Sequence, residues 1–248
     1  MARREITLDP LTTLSLFIQP MKNGNVLGSA TGFVVEHHNA SYLVTNWHVL
    51  AGKNPETGEQ LARDCPTDIA IWHHREPLGH WQSVTQPLFD RAGNHLWVEH
   101  PQGNNVDVVA LPLDLSHGTQ TFPLDLSLAD VDMAAYCAMP VHILGFPLGL
   151  AASGRFPIWK TGHIASEPEI DVEGRPLFLI DATTRGGMSG SPVFARQVGS
   201  RMDRAGNLIV QPGMFTRFLG IYAGRIGTNV EVGRVWKPGV IAETVEGV

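Results

Sequence analysis

A chain of 248 residues with 43% apolar and 17% charged side chains is long enough to bury a large interior, and is neither a disordered segment nor a coiled coil. Its 26 glycines and 17 prolines are many for a helical bundle and suit a chain of short strands and frequent turns. A formal charge of −6, with no basic run longer than Arg3-Arg4, offers phosphate backbones little to bind and excludes nucleic acid as the expected partner.

The N-terminal segment carries arginines, but its apolar stretch from Leu11 to Ile18 is broken by Thr12, Thr13 and Ser15, and no small-residue cleavage site follows. That is not the pattern of a secretory signal, and no window reaches the roughly 18–20 apolar residues of a membrane helix. A cytoplasmic location without membrane association is therefore expected. Period-2 or short apolar runs bounded by Gly, Pro and Asn predict strands at 11–18, 29–36, 41–45, 68–73, 81–88 and 106–111. Pro112 to Pro140, with Leu-Asp-Leu at 113–115 and 124–126, reads as a surface connection. A second set of strands is predicted at 141–145, 162–166, 177–181, 191–194, 218–223 and 230–236. Past these, Pro238 and the spacing of Val240, Ile241, Thr244 and Val245 predict a short closing helix. Twelve strands amount to an all-β fold of two antiparallel six-stranded β-barrels, one over 1–113 and the other, with the connection and the helix, over 114–248. Two cysteines, Cys65 and Cys137, make no disulfide framework and are expected as free, buried thiols in a reducing compartment, a single bridge being the alternative.

Three segments carry candidate chemistry. In Ser41-Tyr-Leu-Val-Thr-Asn-Trp-His-Val-Leu-Ala-Gly52 a strand ends at Thr45-Asn46 and a helical turn begins, which puts His48 at a junction facing a cleft. Asp107 falls inside the apolar run Val106-Asp-Val-Val-Ala-Leu111, where a carboxylate requires a partner such as an imidazole N–H. In Asp181-Ala-Thr-Thr-Arg-Gly-Gly-Met-Ser-Gly-Ser-Pro-Val193, Gly187 and Gly190 let the backbone present Ser189 outward. The N–H groups of Gly187 and Ser189 there converge where an oxyanion would develop. His73, His74, His80, His95 and His100 lack the spacing of a metal site, and neither a metal nor another cofactor is expected.

The order His48, Asp107, Ser189 on two barrels resembles the trypsin-like serine proteases. Val141-His-Ile-Leu-Gly-Phe-Pro-Leu-Gly-Leu150, Thr161-Gly-His-Ile-Ala-Ser166, Asp181-Ala and Gly187-Met-Ser-Gly-Ser-Pro192 are similar to signatures of the bacterial high-temperature-requirement (HtrA) type, without room after Val248 for a PDZ domain. Gly-x-Ser-Gly-Ser-Pro also resembles the bacterial glutamyl endopeptidases. Thr67-Asp-Ile-Ala-Ile71 is a rival source of the acid, but Asp68 follows His48 by only 20 residues whereas Asp107 follows by 59, at the last strand of the first barrel where the family's acid lies.

The resemblance implies a serine endopeptidase acting on peptide or protein substrates: Ser189 as nucleophile, His48 as general base, Asp107 holding the imidazole, and Gly187 and Ser189 as the oxyanion hole. A catalytically weak peptide-binding or regulatory module is the alternative, an unidentified protein regulator is a further partner to consider, and an esterase is the third reading. Where family members often place a hydroxyl that supports the aspartate, this chain has Ala223. Relatives activated by cleavage pair a new N-terminus with an acid before the serine; here that residue is Met188, so no maturation is expected. The resemblance puts the primary specificity pocket between Thr183-Thr184 and the strand Tyr222-Ala223-Gly224-Arg225. With no acid there, Lys and Arg are disfavoured and a small or medium uncharged side chain is expected, or an acidic one if Arg225 points inward. The segment 196–217 is read as a solvated hairpin turning near Ala205-Gly-Asn207, or as a mobile flap beside the cleft.

Overall fold

The computed structural model describes residues 7–115, 118–227 and 229–247; Arg3-Arg4 and Val248 lie outside them. The first half holds β1 (Ser15–Lys22), β2 (Asn25–Val26), β3 (Ala30–His37), β4 (Ala40–Thr45), the one-turn helix α1 (Trp47–Ala51), β5 (Asp68–Arg75), β6 (His80–Pro87), β7 (Val98–Glu99) and β8 (Val109–Pro112). The second holds β9 (Pro140–Gly145), β10 (Ile158–Ile164), β11 (Leu177–Asp181), β12 (Pro192–Met202), β13 (Leu208–Arg225), β14 (Val232–Trp236) and α2 (Gly239–Glu246).

All twelve strands expected from patterning are present, and the fold is the all-β, trypsin-like one. β9 to β14 close a six-stranded antiparallel barrel in the order β10-β11-β14-β13-β12-β9. The first half differs in detail. Its eight strands follow the path β6-β5-β1-β3-β4-β8-β7, with β2 beside β1, because the two-residue β2 and β7 join the six longer strands. The interior of this curled sheet is filled by Leu16, Ile18, Val34, Leu43, Leu50, Ile69, Ile71, Leu88, Trp97, Val109 and Leu111.

Some boundaries moved for local reasons. β1 starts at Ser15 because Pro10–Thr13 forms a 3₁₀ turn, where Asp9 accepts the Leu11 N–H at 3.0 Å. β12 and β13 run on into a long hairpin through the 196–217 segment, turning where Asp203 accepts the N–H of Asn207. Cys65 and Cys137 are free thiols, but neither is buried as expected: Cys65 is half-buried and Cys137 exposed.

A further apolar cluster joins the halves. Phe33, Val35, Tyr42 and Val44 of the first pack with Leu144, Phe194, Phe218 and Trp236 of the second, and Val240, Ile241 and Val245 of α2 fold back into the same core. The Ser15 hydroxyl donates to the Leu144 carbonyl at 2.9 Å. The cleft that this junction leaves open carries the candidate chemistry.

Candidate active site

His48 owes its place to the end of β4. Asn46 has extended backbone, φ −79° and ψ 148°, so the chain leaves the strand and turns directly into α1. Its side chain donates across the gap to the Asp107 carbonyl at 2.7 Å. Gly52 ends α1 in the left-handed region at φ 67°, packed so closely on Pro66 that no side chain fits there.

Asp107 lies two residues ahead of β8, not within a strand as the sequence suggests, because the turn Gly103–Asn105 delays the start of pairing. One carboxylate oxygen, Oδ1, accepts the backbone N–H of His48 at 2.9 Å, and Oδ2 faces His48 Nδ1 at 2.7 Å. Asp107 is 5% exposed, so both interactions are made away from water. An Nδ1–H directed at the carboxylate leaves Nε2 as the basic nitrogen. Ala223 supplies no hydroxyl; the His48 N–H provides the carboxylate's second hydrogen bond.

The serine turn is held from both halves. Gly187 and Gly190 have φ of 93° and 86°, and a Cβ on Gly187 would run into the Phe146 carbonyl and one on Gly190 into that of Thr31. Thr31 donates its N–H to the Ser189 carbonyl at 2.9 Å and its hydroxyl to the Gly187 carbonyl at 2.8 Å, while accepting the Phe146 N–H at 3.2 Å. Its own carbonyl accepts the Thr45 hydroxyl at 2.8 Å. Gly190 N–H pairs with the Tyr222 carbonyl, and Tyr222 N–H with the Ser191 carbonyl, both at 2.9 Å. The Gly186 carbonyl is turned away to accept the Leu148 N–H at 2.6 Å. Among the described residues, the N–H groups of Gly187 and Ser189 have no acceptor and the Ser189 hydroxyl has no hydrogen-bond partner.

His48 and Ser189 line two cavities of the cleft. One, of about 220 Å³, adds Asp107, Ala223, Gly224 and Arg225, and the other, of about 350 Å³, adds Gly187. Thus His48, Asp107, Gly187, Ser189, Ala223, Gly224 and Arg225 meet at the cleft. Thr183, Thr184 and Tyr222 line neither cavity. Thr183 points to solvent, whereas Thr184 and Tyr222 are buried and hydrogen-bonded to each other through their hydroxyls. The Tyr222 ring packs against Gly233, and burial raises its phenol above the usual pKa.

The rival Asp68 sits at the start of β5, accepts the Thr67 hydroxyl at 2.7 Å and does not touch His48. Of the other histidines, His74 bonds the Thr13 carbonyl, His95 that of Trp97 and His100 the Glu243 carboxylate. No three metal-ligating side chains converge among the described residues. Sequence reasoning missed Thr31 and Asn46, although a threonine inside an apolar strand signals a buried hydroxyl in need of a partner. It also missed Glu56, Arg175 and Arg234, which line the smaller cavity and have no local pattern to betray them.

Two β-structured halves with a histidine–carboxylate pair and a glycine-framed serine at the cleft between them define the layout of a serine peptidase. Residues 30–200 match the trypsin-like peptidase domain, and the chain belongs to that family as a serine-type endopeptidase. Among solved structures, it is similar to the Rv3671c protease from M. tuberculosis in its active form, at 18% identity and a TM-score of 0.53 over 96% of this chain and 82% of that one. The serine endoprotease from Yersinia pestis matches at 14% identity and a TM-score of 0.55, over 98% and 67% of the two chains. The MamO protease domain from Magnetospirillum magneticum matches at 15% identity and a TM-score of 0.54, over 94% and 96%. No curated protein matches the sequence.

Proposed function

We propose that the protein hydrolyses peptide bonds through an acyl-enzyme formed on Ser189. The observation that carries this is the buried His48–Asp107 pair at 2.7 Å, opening onto the cavities that Ser189 lines. In this mechanism His48 Nε2 takes the Oγ proton as Oγ bonds to the substrate carbonyl carbon. The imidazolium, stabilised by Asp107, then protonates the amine as the C–N bond breaks. Water adds to the ester by the reverse proton path and releases the acid and Ser189. The Gly187 and Ser189 N–H groups receive the oxyanion, a contribution of about 2.7–4 kcal/mol per donor in comparable sites. Arg225, which lines a cavity with Ser189, disfavours Lys or Arg on the acyl side of the cleaved bond, where a small or medium uncharged residue is the expected one.

A fluorophosphonate probe tests the reading. The wild-type protein should become labelled, while Ser189→Ala should not and His48→Ala should label at least 10³ times more slowly. The Ser189 hydroxyl without a partner favours a second reading, a peptide-binding module with little turnover. An unlabelled wild-type protein that still binds peptides would establish that one instead.

A further inference from the structure

Glu56 crosses the cleft. It sits in a small turn in which Lys53 bridges Gln60, the Asn54 carbonyl accepts the Gly58 N–H at 2.8 Å and Asn54 Oδ1 accepts the Glu56 N–H at 2.8 Å. Asn104 Nδ2 ties the turn down through the Pro55 carbonyl at 3.2 Å. So mounted on the first half, Glu56 Oε1 reaches Arg175 Nη1 and Arg234 Nη2 of the second, each at 3.1 Å. These residues line the same cavity as His48, Asp107 and Ser189.

Two guanidinium groups converge on one carboxylate oxygen beside a peptide-cleaving site. Arg175 also pairs with Glu173, but Arg234 has no other acidic partner among the described residues. The two arginine side chains are about three-quarters buried, at 26% and 23% exposure, whereas the Glu56 side chain is 47% exposed and uses only one of its two oxygens. Charge that is fixed, partly desolvated and forked toward a cleft recognises carboxylates strongly, while a half-exposed single-oxygen ion pair is held weakly. A carboxylate carried on a bound peptide is held in place by the other contacts of that peptide, so it competes with the tethered Glu56 on an intramolecular footing.

We propose that Arg175 and Arg234 form a carboxylate subsite of the peptide cleft, occupied by Glu56 in the free enzyme and taken by an acidic side chain of the substrate. The subsite rests on the peptidase reading for its role in turnover, but not for its affinity. It makes the enzyme selective for acidic peptides at a position other than the residue whose carbonyl is attacked, and it makes Glu56 an internal competitor.

The test uses fluorescent peptides with Glu or Gln placed in turn at each position around the cleaved bond. Binding is read with Ser189→Ala and turnover with the wild-type protein. At one or two positions Glu should be favoured over Gln by about tenfold, the size expected of a charge-assisted contact. The preference should vanish in Arg175→Met/Arg234→Met and grow in Glu56→Ala, which removes only an exposed side chain and guards against misfolding of the double variant. Equal binding and turnover of Glu and Gln peptides at every position, or a preference untouched by the double substitution, overturns the subsite. If the wild-type protein neither cleaves nor labels while Ser189→Ala keeps the arginine-dependent preference, the peptidase reading fails and the subsite stands. Cleavage without acid preference has the opposite meaning.

Discussion

At the scale of single residues, the site depends on a few polar atoms with assigned tasks. Asp107 spends Oδ1 on the His48 N–H and Oδ2 on Nδ1. An amide at this position would present its NH₂ to Nδ1 and hold the imidazole in the wrong tautomer. Asp107→Asn should therefore lower kcat by about 10⁴, read with a peptide substrate, while Asp68→Asn, remote from His48, should change it less than about twofold. Thr31 does for the serine turn what an ion pair does in relatives activated by cleavage, because the residue before Ser189 is Met188, fully buried in the second barrel. Thr31→Val leaves the Gly187 carbonyl and Phe146 N–H without their partner. It should cost about 1–3 kcal/mol of stability in urea unfolding and lower kcat more than it raises KM, with Thr31→Ser restoring both. For the same reason, protein retaining Met1, a residue outside those described, should react with a fluorophosphonate probe without prior cleavage. Labelling that appears only after N-terminal processing would refute this.

Among the elements, β5 and the β12–β13 hairpin have properties that isolated residues do not reveal. β5 buries His73 with neither ring nitrogen hydrogen-bonded. Burial first, and the neighbouring His74 second, lower its pKa from 6.5 to about 4. The folded protein thus keeps His73 neutral over a range in which the unfolded chain binds a proton. Its contribution to stability is complete above pH 6.5 and is lost as pH falls toward 4, on the order of 3 kcal/mol in all. Urea midpoints at pH 7 and pH 5 should differ by less in His73→Leu than in the wild type. The hairpin lies against the connection between the halves: Arg201 donates to the Asp132 carbonyl at 2.8 Å, Arg204 N–H to the Asp132 carboxylate at 3.0 Å and Arg217 to the Met133 carbonyl at 2.6 Å. None of residues 196–217 lines either cleft cavity. Replacing 200–210 by a two-residue turn should lower the melting temperature and leave the order of peptide preferences unchanged, which peptide profiling checks.

Over the whole molecule, the cleft is only as rigid as the core that joins its walls. His48 and Asp107 come from the first half and Ser189 from the second, and Trp236 and Ile241 are buried between them in one apolar cluster. α2 is pinned to the first half by His100, whose Nε2 lies 2.7 Å from a Glu243 oxygen. Ile241→Ala should cost about 2–5 kcal/mol by transfer and cavity terms together. Because the cluster spans both halves, fluorophosphonate reactivity in rising urea should be lost at the same midpoint as tryptophan fluorescence. Two separate transitions would show that the halves unfold independently.

The sequence by itself determined the strands and the chemistry-bearing segments. Period-2 burial is a local property, so twelve runs marked their own positions, and Gly187 and Gly190 announced a turn that only glycine can make. Spacing along the chain, together with the place of the acid in the family the sequence resembles, favoured Asp107 over Asp68. The tertiary structure decided what depends on groups distant in sequence. The side chains of Thr184 and Tyr222 turned inward because the barrel interior beside Gly233 had room for them, so residues placed on the substrate wall became part of its support. The 196–217 segment was legible as a hairpin turning near Ala205-Gly-Asn207, but, half exposed along its length, it carried too little alternation to mark the extent of β12 and β13 within it. Glu56 and Arg175 are 119 residues apart and meet only because closing two halves around a shared core brings a turn of one against the rim of the other. An ion pair formed in this way leaves no periodic trace in the chain, because its partners are chosen by the packing between the halves and not by their sequence neighbours.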